Sequence, residues 1–162
     1  MKKIKNILIM CTGNTARSPA AEYIAKYYTR KYGINLNIRS CGLFNAFEYM
    51  QPQSREYLNK IGINHSDFKP QVVSVKLLEE ADLIITMEVY HKEEIFNNYN
   101  LDDNFKSKIF TLKEFNGVKK DLDIVDPYYC SSSFYKKTLS LIDDNIEKMI
   151  QKIIKINNTH FN

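Results

Sequence analysis

A thiol, a guanidinium and a carboxyl carry the chemistry of this chain. Cys11 and Arg17 bracket the stretch Cys11-Thr12-Gly13-Asn14-Thr15-Ala16-Arg17-Ser18-Pro19: a thiol, five residues, an arginine and a hydroxyl. An apolar, β-branched run, Ile7 to Met10, precedes it, and a helix-like stretch, Ala20 to Tyr32, follows it. A loop between a strand and a helix start offers backbone N–H groups at the positive end of the helix dipole, where an oxyanion binds. Successive N–H groups from Thr12 to Arg17 can form a nest around the oxygens of a phosphoester. Arg17 can add a bidentate, charge-assisted pair that lysine could not match. The helix start and Arg17 favour thiolate over thiol at Cys11, and Ser18 can donate a hydrogen bond to that sulfur. Cys11 is then a nucleophile, and a covalent phosphocysteine divides the reaction into two easier steps. The competing reading, a structural thiol beside an unrelated arginine, requires the strand, the helix, Gly13 and Ser18-Pro19 all to be coincidence.

The leaving group of such a reaction needs a proton. Asp126, fixed in extended backbone by Pro127, is the candidate acid; it reads equally well as the initiator of a turn.

The elements that must position these groups alternate along the chain. Ile4 to Met10 reads as a strand buried on both faces, with Pro19 in the first turn of the helix after it. Leu36 to Cys41 is a second strand ending at Gly42. An aromatic loop, Leu43 to Gln51, leads to a helix opened by Pro52 and running to about Ile61. Val75 to Ala81 is a short helix, Asp82 to Met87 a third strand, Val89 to Asn97 a helix and Lys108 to Leu112 a fourth strand. Asn116 to Tyr129 is a loop. Ser132 or Ser133 caps a long final helix with Leu139, Ile142, Ile146, Ile150 and Ile153 on one stripe. Strand–helix alternation predicts an α/β fold with a mostly parallel sheet and helices on both faces. Ligands of such sheets sit beyond the carboxyl ends of the strands, where the Cys11 loop lies.

At 162 residues, 44% hydrophobic and 26% charged, the chain is expected to form one globular domain over residues 1–157, with 158–162 a frayed tail. Its net charge of +4 is that of a lysine-rich surface compatible with anionic substrates. No basic run interleaves with aromatics, so no nucleic-acid partner is expected. Three cysteines without C-x-x-C spacing suit a reducing, cytoplasmic compartment. The apolar N-terminal run ends too soon for a signal peptide or a membrane span.

These residues resemble the low-molecular-weight protein tyrosine phosphatases over nearly the whole chain. The match rests on the Cys11–Pro19 loop with Ala21-Glu22, on Ser40-Cys41-Gly42, on Leu77 to Met87, and on Asp126-Pro127-Tyr128-Tyr129. The resemblance implies a three-layer sandwich on a four-stranded parallel sheet, of the phosphotyrosine phosphatase I-like type. It implies hydrolysis of phosphomonoesters on protein or peptide substrates, with inorganic phosphate or another oxyanion held in the loop, and no cofactor or metal. Cys11 would be nucleophile, Arg17 phosphate and transition-state ligand, and Asp126 general acid and then base. Thr12, Gly13, Asn14, Thr15, Ala16, Arg17 and Ser18 would bind phosphate, with Asn14, Ser18 and Ser40 supporting the loop. Thr15, Tyr128 and Tyr129 would line the cleft. Phe44, Phe47 and Tyr49 read as its opposite wall, or else as packing against the second helix. A monomer is expected.

Three departures bear on substrate and regulation. Ala16 stands where many members carry a second cysteine, which removes one disulfide route to reversible inactivation; Cys41 and Cys130 read as inert. Thr15 replaces a branched alkyl residue common in phosphotyrosine-specific members and resembles protein arginine phosphatases, while Asp-Pro-Tyr-Tyr favours tyrosine. Phe68 stands in place of a supporting family histidine, and His65 reads as a surface residue. An arsenate reductase would need extra cysteines between Thr86 and Asn100, which holds none. A phosphate-binding module without turnover would need neither Cys11 nor Asp126.

Overall fold

Five consecutive side chains, Ile7 to Cys11, are buried, so the strand that carries them must be covered on both faces. The computed structural model describes residues 2–159 and contains four strands: β1 (Asn6–Cys11), β2 (Asn37–Gly42), β3 (Leu83–Thr86) and β4 (Ile109–Thr111). Their order is β2-β1-β3-β4, and every neighbouring pair is parallel. The helices are α1 (Arg17–Lys31), α2 (Pro52–Lys60), α3 (Val75–Glu80), α4 (Val89–Asn98), α5 (Asp103–Lys106), α6 (Leu112–Phe115) and α7 (Ser132–Thr159).

The alternation of side chains along β1 divides the core into two layers. Ile7, Ile9 and Cys11 join Leu83 and Ile85 of β3 in the larger one, under Ala20 and Ile24 of α1, Leu58 of α2, Leu112 of α6, and Ile142, Ile146 and Ile150 of α7. Leu8, Met10 and Ile84 form the smaller one with Leu78 of α3 and Ile95 of α4. The result is the three-layer α/β sandwich expected, with helices on both faces.

Several boundaries differ from expectation. α1 begins at Arg17, three residues early, because the end of the thiol loop is already the first helical turn; Pro19 sits in that turn, where a missing N–H is harmless. The cap of α7 is Ser131, not Ser132 or Ser133: its Oγ accepts the Phe134 N–H at 3.2 Å. α7 runs on through Thr159, and Asn157 pairs with the backbone of Ile4 in both directions, at 2.8 Å each. Of the tail expected to fray, residues 160–162 lie outside the described residues. The four-residue helices α5 and α6 carry too few turns to show a period in the sequence. Among the described residues no helix is long and apolar enough to cross a membrane.

The register fixes where a site can form. Cys11 stands opposite Gly42, and Met10 opposite Thr86, so the carboxyl ends of β1, β2 and β3 lie side by side. β2 flanks β1 on one side and β3 on the other, which makes this the topological switch point of the sheet.

Asp143 ties the larger layer together. Its two oxygens accept the hydroxyls of Tyr28 in α1 and Tyr57 in α2, each at 2.7 Å. We predict that Asp143→Ala lowers stability by about 1–3 kcal/mol in urea unfolding, the range for hydrogen bonds to a charged acceptor. An unchanged midpoint would show that water serves both tyrosines equally well.

Candidate active site

The residues from Thr12 to Ala16 turn the chain from β1 into α1. Asn14 takes the left-handed conformation, φ 52°, which Asn tolerates better than most residues. Its side chain is completely buried, and three partners hold it. Nδ2 donates to Ser18 Oγ and to Ser40 Oγ, both at 2.9 Å, and Oδ1 accepts the Gln71 N–H at 3.0 Å. The Ser40 hydroxyl in turn donates to Glu22 Oε2 at 2.5 Å. The far end of the loop hangs on α2: the Thr15 carbonyl accepts the Gln51 N–H at 2.7 Å, and Ser54 Oγ donates to the Ala16 carbonyl at 2.9 Å. With that proton committed, the buried Tyr135 hydroxyl donates to Ser54 Oγ, at 2.8 Å; burial pushes the Tyr135 hydroxyl up to about 12.

The end of β2 approaches the loop so closely that only glycine fits. A Cβ on Gly42 would lie 2.7 Å from both Asn14 N and Gly13 C and 2.9 Å from Thr12 O, all backbone atoms that cannot yield. Thr12 O instead accepts the Leu43 N–H at 2.8 Å. Among the described residues no acceptor takes the backbone N–H of any residue from Thr12 to Ala16, although Asn14, Thr15 and Ala16 are buried. Buried donors without a partner are rare; three of them here follow two half-exposed ones, and such a succession of unpaired N–H groups has the form of an anion nest.

Arg17 closes the nest and is itself only 1% exposed. Nη1 donates to Glu88 Oε1 and, at 2.7 Å, to the Ile124 carbonyl. Nη2 donates to Thr12 Oγ1 at 3.2 Å and faces Asp126 Oδ2 at 3.2 Å. Three of the five guanidinium hydrogens are thereby donated to hydrogen bonds, and Asp126 adds an ion pair on Nη2. The hydrogen on Nε is buried and has no acceptor among the described residues. Cys11 Sγ lies 2.9 Å from Ser18 Oγ at the start of α1.

Asp126 starts a local turn, as one of its two readings has it, and also faces the arginine. Its Oδ1 accepts the Tyr128 N–H at 3.0 Å in a local turn, and its Oδ2 faces Arg17. The loop that carries it is moored just past the end of β3 and at the start of α4: the Ile124 N–H reaches the Met87 carbonyl at 2.7 Å, and Asp123 Oδ1 accepts the Val89 N–H at 2.7 Å.

Beyond the loop, Tyr49, Phe47, Tyr128 and Tyr129 form a row of rings with centroids 5.7, 5.7 and 4.1 Å apart. Tyr49 and Tyr129 are exposed. Phe44 is exposed and makes no ring contact with this row among the described residues. Phe68 packs edge-on against Tyr23, 6.1 Å between centroids, and half-buried His65 bonds Asn59 at 3.0 Å. Cys41 is buried and its thiol is pushed up by that burial, while Cys130 is exposed. Among the described residues no group of three or more His, Cys, Asp or Glu side chains is gathered where it could hold a metal ion.

Sequence reasoning missed Gln71, Glu88 and His91. His91 is fully buried; its Nδ1 accepts the Glu88 N–H at 3.0 Å, and its Nε2 lies 2.9 Å from Thr12 Oγ1. Only the Glu88-x-x-His91 spacing at a helix start hinted at this, and a solvated charge pair explains that spacing equally well.

A thiol–arginine anion nest at the switch point of a parallel sheet, with a carboxylate facing the arginine, defines a cysteine-based oxyanion-loop protein. The family model described as Low molecular weight phosphotyrosine protein phosphatase matches residues 6–158, and the chain belongs to that family. It is 33% identical over 153 residues to the protein-arginine-phosphatase of Bacillus subtilis, covering 93% of this chain and 95% of that one. It is also 33% identical over 144 residues to the low molecular weight protein-tyrosine-phosphatase PtpB of Staphylococcus epidermidis, covering 88% and 95%. Among solved structures, the low molecular weight protein tyrosine phosphatase of T. tengcongensis superposes with a TM-score of 0.83 at 34% identity, covering 91% of this chain and 99% of that one. A YwlE arginine phosphatase variant with a phosphorylated active-site serine gives 0.83 at 31% identity, covering 93% and 96%.

Burial first, and then the Arg17 cation, push His91 down to about 3. The unfolded chain therefore takes up a proton near pH 6.5 that the folded chain refuses, so stability from this group is complete above that pH and declines as pH falls toward 3. We predict that His91→Gln shallows the acid limb of a stability–pH curve between pH 6 and 4 by up to about 1.4 kcal/mol per unit. Parallel curves for the two proteins would contradict a neutral His91.

Proposed function

We propose that this chain is a protein tyrosine phosphatase that works through a phosphocysteine. The observation that carries the reading is the disposition of Arg17 at the end of the Cys11 loop: both terminal nitrogens held by protein, Nε left over, and Asp126 paired with Nη2. Cys11 Sγ attacks phosphorus in line, and the five free N–H groups with Arg17 hold the non-bridging oxygens through the transition state. Ser18 donates to the thiolate. Asp126 gives its proton to the departing oxygen; it then takes one from the water that displaces sulfur and releases inorganic phosphate. Asn14, Ser18 and Ser40 keep the nest in shape. The row of rings, with Tyr49 and Tyr129 exposed, supports an aromatic substrate. The same reading takes the enzyme to be monomeric and cytoplasmic.

We predict that Cys11→Ser retains phosphate binding and loses turnover of p-nitrophenyl phosphate, while undiminished turnover would refute the mechanism. Asp126→Ala should slow an alkyl or aryl ester by about 100-fold or more and affect good leaving groups less, because these need no proton.

Thr15 supports a second reading, protein arginine phosphatase. Among the described residues nothing claims its hydroxyl, and the Bacillus subtilis relative bears that name. Initial rates on phosphotyrosine and phosphoarginine peptides separate the two, with Thr15→Ile alongside. The first reading predicts faster release from phosphotyrosine, little changed by Thr15→Ile. A large arginine preference that the substitution abolishes would replace it with the second.

A further inference from the structure

Four contacts close a ring around the mouth of the loop. Thr12 Oγ1 meets His91 Nε2 at 2.9 Å, His91 Nδ1 accepts the Glu88 N–H, Glu88 Oε1 holds Arg17 Nη1, and Arg17 Nη2 returns to Thr12 Oγ1 at 3.2 Å. The backbone N–H of Glu88 can only donate, so Nδ1 bears a lone pair. The neutral ring then carries its single proton on Nε2 and donates it to Thr12. A hydroxyl oxygen has two lone pairs and one proton. His91 fills one lone pair and Arg17 the other, which leaves Thr12 able only to donate. Among the described residues no acceptor takes that proton. Thr12 is half-exposed beside the nest, and its oxygen shares Arg17 Nη2 with the carboxylate of Asp126.

We infer that His91 is a positioning residue for phosphoryl transfer: its Nε2–H converts the Thr12 hydroxyl into a fixed donor to the anionic group bound beside Arg17. This rests on the phosphatase reading above. A fixed donor is worth more than a free rotor, because it need not reorganise as charge moves onto the phosphoryl oxygens. Glutamine can imitate the neutral ring, with its amide donating at the far end; leucine cannot donate. Without the imidazole, the Thr12 proton is free to turn toward Asp126 or solvent.

The test is a double-mutant cycle read by kcat on p-nitrophenyl phosphate, by inorganic phosphate affinity from calorimetry and by thermal midpoint. Removing one oxyanion donor lowers kcat by about 100-fold, which is the expectation for Thr12→Val and for His91→Leu alike. Because both remove the same hydrogen bond, the double variant should also be down about 100-fold, not the 10,000-fold of independent effects. Phosphate should bind about 10-fold more weakly in all three, and KM should change less than kcat. His91→Gln and Thr12→Ser should return to within about 3-fold of the parent, which a purely structural role would not require. Thr12→Val against Thr12→Ser leaves the buried imidazole in place, so the test stands even where His91→Leu fails to fold. Parent-like rates in Thr12→Val, or losses that multiply in the double variant, overturn the inference alone. A parent protein that neither binds phosphate nor turns over overturns the phosphatase reading, and the inference with it.

Discussion

The structure is organised around one buried cation. Arg17 sits at 1% exposure, and a guanidinium so placed is tolerable only when charge and hydrogen bonds surround it. Glu88 follows β3, Ile124 and Asp126 belong to the loop after α6, and Thr12 belongs to the loop that Arg17 itself closes. These groups are 71 and 107 residues distant from Arg17 in two of the contacts. They can meet only if β3 lies beside β1 and the late loop folds back over both. The strand order β2-β1-β3-β4 and the Ile124–Met87 hydrogen bond supply that geometry. Fold and site are thus one constraint: the sheet places the acceptors, and the acceptors make the cation affordable.

The other side of the loop solves a different problem. Five backbone donors must stay unpaired and in place, against the tendency of buried N–H groups to find partners. Asn14 holds the turn from inside through Ser18, Ser40 and Gln71, and Gly42 presses β2 against it where any side chain would collide. The nest is therefore preorganised by side chains and a strand end that stand behind it, the kind of arrangement that lets fixed donors act without reorganising.

How legible this was in the sequence follows from the range of each interaction. β1, α1 and the Cys11–Arg17 loop are local, and the pattern of apolar residues and Pro19 identified them. Asp126 was legible as a candidate from Asp-Pro and gained its weight from the family resemblance. Gln71 acts through its backbone N–H, so no side-chain pattern could mark it. Glu88 caps α4 and His91 lies in its first turn, a stretch whose sequence says only that a helix begins; their partners are fixed by strand order, a tertiary fact. The α7 cap fell at Ser131 because three serines in a row make the choice depend on geometry rather than residue type. Phe44, grouped with the cleft aromatics by proximity in sequence, stands off the row that Phe47, Tyr49 and Tyr128 form.

The same register that builds the nest also isolates its thiol. β1 pairs Met10 with Cys41 and Cys11 with Gly42, so Cys11 and Cys41 are offset by one residue on adjacent strands. Their side chains leave the sheet on opposite faces, Cys11 into the larger core and Cys41 into the smaller. A disulfide needs Cβ atoms about 3.8 Å apart and directed toward one another, which side chains on opposite faces of a sheet cannot achieve without moving a strand. Burial also keeps Cys41 a thiol, the unreactive form. Position 16, the remaining place inside the loop, holds Ala16, which has no sulfur. The side chains of Thr15 in the nest and of the ring row outside it carry none of this scaffold, and these can vary while Arg17, Asn14 and Gly42 cannot.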